Sequence, residues 1–154
     1  MLLRLNRRAV LAVLAAGSLG KVLAQAPSKL PPELASSELA LRGQQRFRVW
    51  GFEVYDASLW TPPGFNAAQT ETQLLALELH YLRDFAAKDI AERSIKEMRR
   101  SGPLAAELES RWMTELLRVL PSVRQGDRLM GLHRPGEAAV FWHNGRPRGE
   151  VRDA

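Results

Sequence analysis

The stretch that decides the fold lies near the end of the chain: Gly126-Asp-Arg-Leu-Met-Gly-Leu-His-Arg-Pro-Gly-Glu137, running on into Ala138-Ala-Val-Phe-Trp-His-Asn-Gly-Arg-Pro-Arg-Gly-Glu-Val151. Two turn signals cut it into three short strands. Pro135-Gly136 suits the centre of a type II turn, because proline presets φ near −65° and glycine accepts the positive φ that follows. Asn144-Gly145 suits a type I′ hairpin, which needs positive φ at both central residues. The chain therefore closes in an antiparallel meander.

Working back from it, Leu104 to Leu120 carries Leu104, Leu108, Trp112, Leu116 and Val119 at helical spacing, and Pro121 stops that helix. Asp84 to Arg100 is a second helix, with Ala91, Ile95 and Met98 on one face and Gly102-Pro103 beyond its end. Leu74 to Arg83 alternates as a strand does. Leu77, Leu79, Tyr81 and Arg83 share one face, and Glu78 and His80 the other. Leu39 to Leu59 is rich in β-branched and aromatic residues, but strict alternation fails at Gly51. It predicts two strand segments joined by a kink, with a bulge at Trp50-Gly51 returning Phe52 and Val54 to the face of Phe47 and Val49. Thr61-Pro62-Pro63-Gly64 ends the second segment. Strands, two helices, then three strands argue for an α+β domain, a mostly antiparallel sheet with helices on one face.

The N-terminal residues belong to a different kind of sequence. Arg4, Arg7 and Arg8 precede an apolar run from Ala9 to Leu19, and Ala24-Gln25-Ala26 offers a small-residue cleavage site. Residues 1–26 thus read as an export signal, too short in its apolar part to span a bilayer, and placing the mature protein in the periplasm or outside the cell. Arg7-Arg8 before an apolar run, with Lys21 near the cleavage site, also resembles a twin-arginine signal, so the export route stays open. Residues 27–37, with three prolines, predict an extended tether, and residues 38–154 the domain. The signal holds four of the 22 Lys+Arg and none of the 17 Asp+Glu. The mature part therefore has 18 basic against 17 acidic residues, a balance that gives no case for nucleic acid as partner. There is no cysteine, which excludes disulfides, a thiol nucleophile and cysteine-bound metals.

Four segments, Gly51 to Trp60, Ala76 to Asp84, Ile90 to Met98 and the closing meander from Gly126 to Glu150, resemble in their order the chalcone isomerase-like family, in its bacterial exported branch. The resemblance implies an open-faced β-sandwich, a large antiparallel sheet backed by helices, with a ligand cleft between them. Members of that family continue into an aromatic-rich C-terminal helical segment, whereas this chain stops at Asp153-Ala154. A truncated chain with part of its helical cover missing is the expectation.

The plant isomerases that name the family need no cofactor, only an arginine and other donors to hold a phenolate and the developing enolate. By this resemblance Arg46 is the nearest candidate arginine, with Arg48 competing, and Tyr55 stands where the plant enzymes carry a threonine. Lys88-Asp89 stands where they place a catalytic tyrosine. The incomplete set favours a non-catalytic role over a cofactor-free isomerase. Some plant relatives bind fatty acids, which asks for an apolar channel with Arg and Tyr at a carboxylate. Arg83 with Tyr81 meets that description from alternation, and Arg46 with Tyr55 from the resemblance. The expected ligand is a small apolar or carboxylate molecule. An envelope module docking a protein partner is the remaining alternative.

No metal is expected. With Pro135-Gly136 as turn centre, His133 falls opposite Ala138 and His143 opposite Arg128, most of a strand apart, and His80 belongs to another strand. G-x-S-x-G, P-loop and G-x-G-x-x-G patterns are absent from the sequence. Ser94 reads as a polar helix position, and Glu92 with Lys96 as an i, i+4 surface pair.

Overall fold

The computed structural model describes residues 30–100 and 102–152. Residues 1–26, read as the export signal, lie outside the described residues, as does the chain end at Asp153-Ala154. Six strands form a single sheet in sequence order: β1 (Ala40–Val49), β2 (Phe52–Thr61), β3 (Leu75–Tyr81), β4 (Arg128–Arg134), β5 (Ala138–His143) and β6 (Arg146–Arg152). Every neighbouring pair is antiparallel. Helices α1 (Ala87–Arg100) and α2 (Ala106–Val119) stand between β3 and β4. The segregation of helices from strands is the α+β arrangement that the sequence predicts.

The closing meander forms through the two turns. Asn144 and Gly145 take φ of 49° and 79°, between the paired His143 and Arg146. At the other turn Gly136 has φ 76° and the Glu137 amide donates to the Arg134 carbonyl at 3.1 Å. Glu137 stays in the loop, so Arg134 pairs with Ala138. That shifts the expected register by one: His133 lies opposite Ala139, and His143 opposite Leu129.

The kink expected at Trp50-Gly51 is a hairpin turn. Trp50 and Gly51 have φ of 48° and 81°, Val49 pairs with Phe52, and β2 runs back along β1. The bulge is displaced to Val54, which has no opposite number between the Phe47–Tyr55 and Arg48–Glu53 pairs. It returns Phe52, with its partner Val49, to the face of Phe47 and Tyr55, as residues directly opposite share a face.

Helices cover one face of this sheet. Leu77, Leu79 and Tyr81 of β3, Leu129 of β4, Phe141 of β5 and Val151 of β6 meet Ile90, Ala91, Ile95 and Met98 of α1 and Leu116 and Val119 of α2. The expected stripe of α1 is thus buried, and that of α2 is buried at Leu116 and Val119 and half-buried at Leu104, Leu108 and Trp112. Where the chain leaves the sheet for α1 and returns from α2, Phe85 and Val123 exchange backbone hydrogen bonds of 3.0 and 2.9 Å, which closes the gap between β3 and β4. Arg118 of α2 donates to the Glu150 carbonyl at 2.7 Å and Arg148 of β6 to the Val119 carbonyl at 3.2 Å, fixing α2 on the last strand.

On the opposite face Trp60, Ala76, Met130 and Leu132 form a smaller apolar cluster, roofed by Leu34 and Leu39. The stretch expected to be an extended tether therefore packs, over its described part. Pro32–Leu34 is a single 3-10 turn, Leu34 is buried, and Glu33 pairs with Arg128 at 2.6 Å. Burying one leucine stabilises by about 2 kcal/mol, to which the Leu39 contact and the Glu33–Arg128 pair add in holding the segment against the sheet.

Candidate ligand site between sheet and helix

A row of four aromatic rings crosses the helix-facing side of β1, β2 and β3. Phe47 stacks on Tyr55 with ring centroids 4.9 Å apart, Tyr55 meets Tyr81 edge-on at 5.8 Å, and Tyr81 meets Phe85 at 5.8 Å. The register makes this row: Phe47 is opposite Tyr55 and Tyr55 opposite Tyr81, so period-two strands place all three on one face. Edge-on and offset contacts of this kind add about 0.5–1.5 kcal/mol each beyond the area they bury.

Helix α1 brings charge to the end of the row. The Arg93 guanidinium lies 5.9 Å from the Phe47 ring centroid and pairs with Glu97 at 2.9 Å. Arg100 reaches the other Glu97 oxygen at 3.2 Å. Glu97 is buried, and its Oε1, although beside Arg93, accepts no well-directed hydrogen bond. Two guanidinium groups on one carboxylate leave this cluster a net charge of +1. Next to it Ser94, a polar position of the helix as expected, is fully buried and donates to the Ile90 carbonyl at 2.8 Å.

Burial pushes the Tyr55 hydroxyl up to about 12, with the Arg93 charge opposing and the Glu97 charge assisting. Tyr81 is pushed up further, again by burial first and then by Tyr55. Both phenols are therefore protonated hydrogen-bond donors at neutral pH. Neither is a base.

The structure brings two of the four expected site residues together and separates the other two from them. Tyr55 and Tyr81 are neighbours in the aromatic row. Arg46 is on the reverse face of the sheet, opposite Asp56, to which it donates from Nε at 2.6 Å and Nη2 at 2.8 Å, and it also reaches Glu53 at 3.1 Å. Arg46 and Tyr55 therefore cannot hold one small ligand between them. Arg83 lies past the end of β3, exposed, with its guanidinium 4.8 Å from the Phe52 ring centroid, whereas Tyr81 is buried. The cation that does face the tyrosines, Arg93, was visible only as an i, i+4 partner of Glu97 beside the apolar stripe of α1. The expected pairing of Glu92 with Lys96 is likewise replaced, Glu92 lying 3.6 Å from Lys88.

His80 is exposed on the reverse face; His133 is within 3.2 Å of the Glu71 carbonyl, and His143 2.9 Å from Asp127. Among the described residues no three His, Asp or Glu side chains gather as a metal site would require, and no helix is long and apolar enough to cross a membrane.

A six-stranded antiparallel sheet with both helices on one face is a chalcone isomerase-like architecture. The solved structure of a fatty-acid binding protein from Arabidopsis thaliana, which has that fold, matches with a TM-score of 0.54 over 75% of this chain and 74% of that chain, at 10% sequence identity. At that identity the likeness establishes the fold and leaves activity to be argued from the site. No protein-family model matches this sequence, and comparison with curated proteins finds no match.

Proposed function

We propose that this chain is an exported, non-catalytic binder of a small apolar anion, and that a fatty acid is the occupant its chemistry fits best. The observation that carries the reading is the aromatic row Phe47–Tyr55–Tyr81–Phe85, which meets the Arg93–Glu97–Arg100 cluster under α1. An alkyl chain lies against the rings, and its carboxylate pairs with Arg93 and accepts from the protonated Tyr55 hydroxyl. Tyr55 and Tyr81 keep the roles expected of them, while Arg93 takes the place of Arg46 and Arg83. The net positive charge of the cluster admits one further carboxylate without leaving Glu97 unpaired. The shared fold with a plant fatty-acid binding protein supports the same reading.

The test is native mass spectrometry of the protein with fatty acids of eight to eighteen carbons, followed by titration. Arg93→Ala is expected to weaken binding by about tenfold, the scale of one charge-assisted contact, and Tyr55→Phe by severalfold. Wild-type affinity in both variants, or no binding across the series, would sink the reading. Export rests on Arg4, Arg7, Arg8, the apolar run after them and Ala24-Gln25-Ala26. N-terminal sequencing of protein from the cell envelope is expected to begin at Pro27; an intact Met1 in the cytoplasmic fraction would overturn that part.

A further inference from the structure

At the tip of the β1–β2 hairpin stand the most exposed large apolar side chains among the described residues, Trp50 at 94% and Phe52 at 59% of full exposure. Trp50 also occupies a backbone conformation that suits Asn or Gly, with φ of 48°. The residue therefore costs the fold twice, once in backbone strain and once in hydrated indole, and makes no buried contact in return. Such a conflict between local preference and residue identity is the mark of a site kept for use outside the fold.

The cations around the tip define that use. The Arg83 guanidinium rests 4.8 Å from the Phe52 ring centroid and forms no ion pair among the described residues. Its neighbour Asp84 accepts from the Gln125 amide at 2.8 Å instead. Arg48 is on the hairpin itself, exposed and sharing Glu53 with Arg46. Arg46 and Arg48 are paired with Glu53 and Asp56, which leaves Arg83, beside Asp84 in sequence but not bonded to it, as the guanidinium free to meet an anion from outside.

We propose that this hairpin tip is a foot that enters the headgroup layer of an anionic phospholipid bilayer, with Trp50 and Phe52 at the polar–apolar boundary and Arg83 on lipid phosphate. Tryptophan favours that boundary because its ring is apolar and its N–H is not, and arginine can bury its stem while its head stays at the phosphates. A protein partner fits less well. Two side chains at a convex turn bury a few hundred square ångströms at most, short of the roughly 800 Å² per partner that stable protein interfaces use. A bilayer accepts a wedge without a matching concavity.

The test uses the full chain and two variants, Trp50→Asn and Arg83→Glu, on vesicles of phosphatidylcholine with about 30% phosphatidylglycerol and on phosphatidylcholine alone. Subtracting the emission of Trp50→Asn from that of wild type isolates Trp50 from the other three tryptophans and from any binding by the N-terminal residues. The expected difference spectrum shifts to the blue and is quenched by brominated lipid on the anionic vesicles. Arg83→Glu reduces that quenching severalfold, and so does removing phosphatidylglycerol. Meanwhile Trp50→Asn raises the melting temperature by about 3 °C, because the turn gains the residue it prefers. A Trp50 signal that stays water-like on both vesicles overturns the proposal, as does quenching indifferent to Arg83→Glu.

Discussion

The two faces of this sheet are built from the same strands and obey different physics. Toward the helices, Leu79, Leu129, Phe141 and Val151 are buried in one continuous apolar layer whose polar atoms are two phenols, a serine bonded to its own helix and, at one end, the Glu97 carboxylate with its arginines. Away from them, Gln44, Arg46, Arg48, Glu53, Asp56, Glu78 and Arg128 form cross-strand ion pairs and hydrogen bonds, and apolar residues return only where Leu34 and Leu39 come back to cover them. Period two delivers both patterns without extra sequence. What separates them is cover: the strands are apolar on a face only as far as the chain itself can roof it.

That contrast can be broken from either side. The largest effect belongs to the helix face, where Leu79→Ala removes a side chain with no exposure and is expected to cost about 3–5 kcal/mol in urea unfolding. On the reverse face Arg128→Ala leaves the half-buried Glu33 and Glu78 carboxylates without their partner, at 2.6 and 2.9 Å respectively. A loss of about 1–3 kcal/mol is expected, and with it faster protease cleavage between Leu30 and Ser37 as the roof lifts. Should Arg128→Ala match Leu79→Ala in cost, the reverse face is no lesser core.

A smaller effect tests the rim where β4 and β5 begin and end. Asp127 is held down to about 2, first by the Arg124 amide, next by the Asn144 side chain, with His143 assisting against some desolvation. A carboxyl depressed in the folded state contributes stability above its ordinary value near 4 and loses it as pH falls toward 2. Wild type is therefore expected to lose melting temperature between pH 4 and 2 more steeply than Asp127→Asn, and parallel curves would remove Asp127 from the account. The smallest change is expected for Trp60→Phe. The Trp60 Nε1 is buried with no partner, so losing it offsets the lost ring area, and stability should move by less than about 1 kcal/mol.

Much of this was legible in the sequence where a residue type admits one backbone state. Asn144-Gly145 and Pro135-Gly136 named their turns, and the Leu77-Leu79-Tyr81 alternation named the buried face of β3. Trp50-Gly51 did not, because tryptophan ordinarily argues for a strand and a lone glycine for a bulge; the strain that the pair accepts is invisible in composition. The sites failed for a related reason. Arg46 and Tyr55 look like partners on one segment, yet once that segment folds into a hairpin, Phe47 stands opposite Tyr55 and Arg46 must face the other way. Arg93 was hidden for want of a sheet to set its helix against. The Pro32–Leu34 turn was hidden because prolines mark an extended entry as readily as a packed one.

The meander leaves two strand edges, and both resist joining a neighbour's sheet. β1 exposes Arg42 and Arg48 along its length, with Arg42 bulged out of register between Leu41 and Gly43. β6 carries Arg146, Pro147, Arg148 and Arg152, one of which has no amide to donate, and its Glu150 carbonyl is already taken by Arg118. Charge, a bulge, a proline and an occupied acceptor each spoil the template that a bare edge offers to a second chain. An open sheet of six strands thus carries its own guard against growing into a seventh.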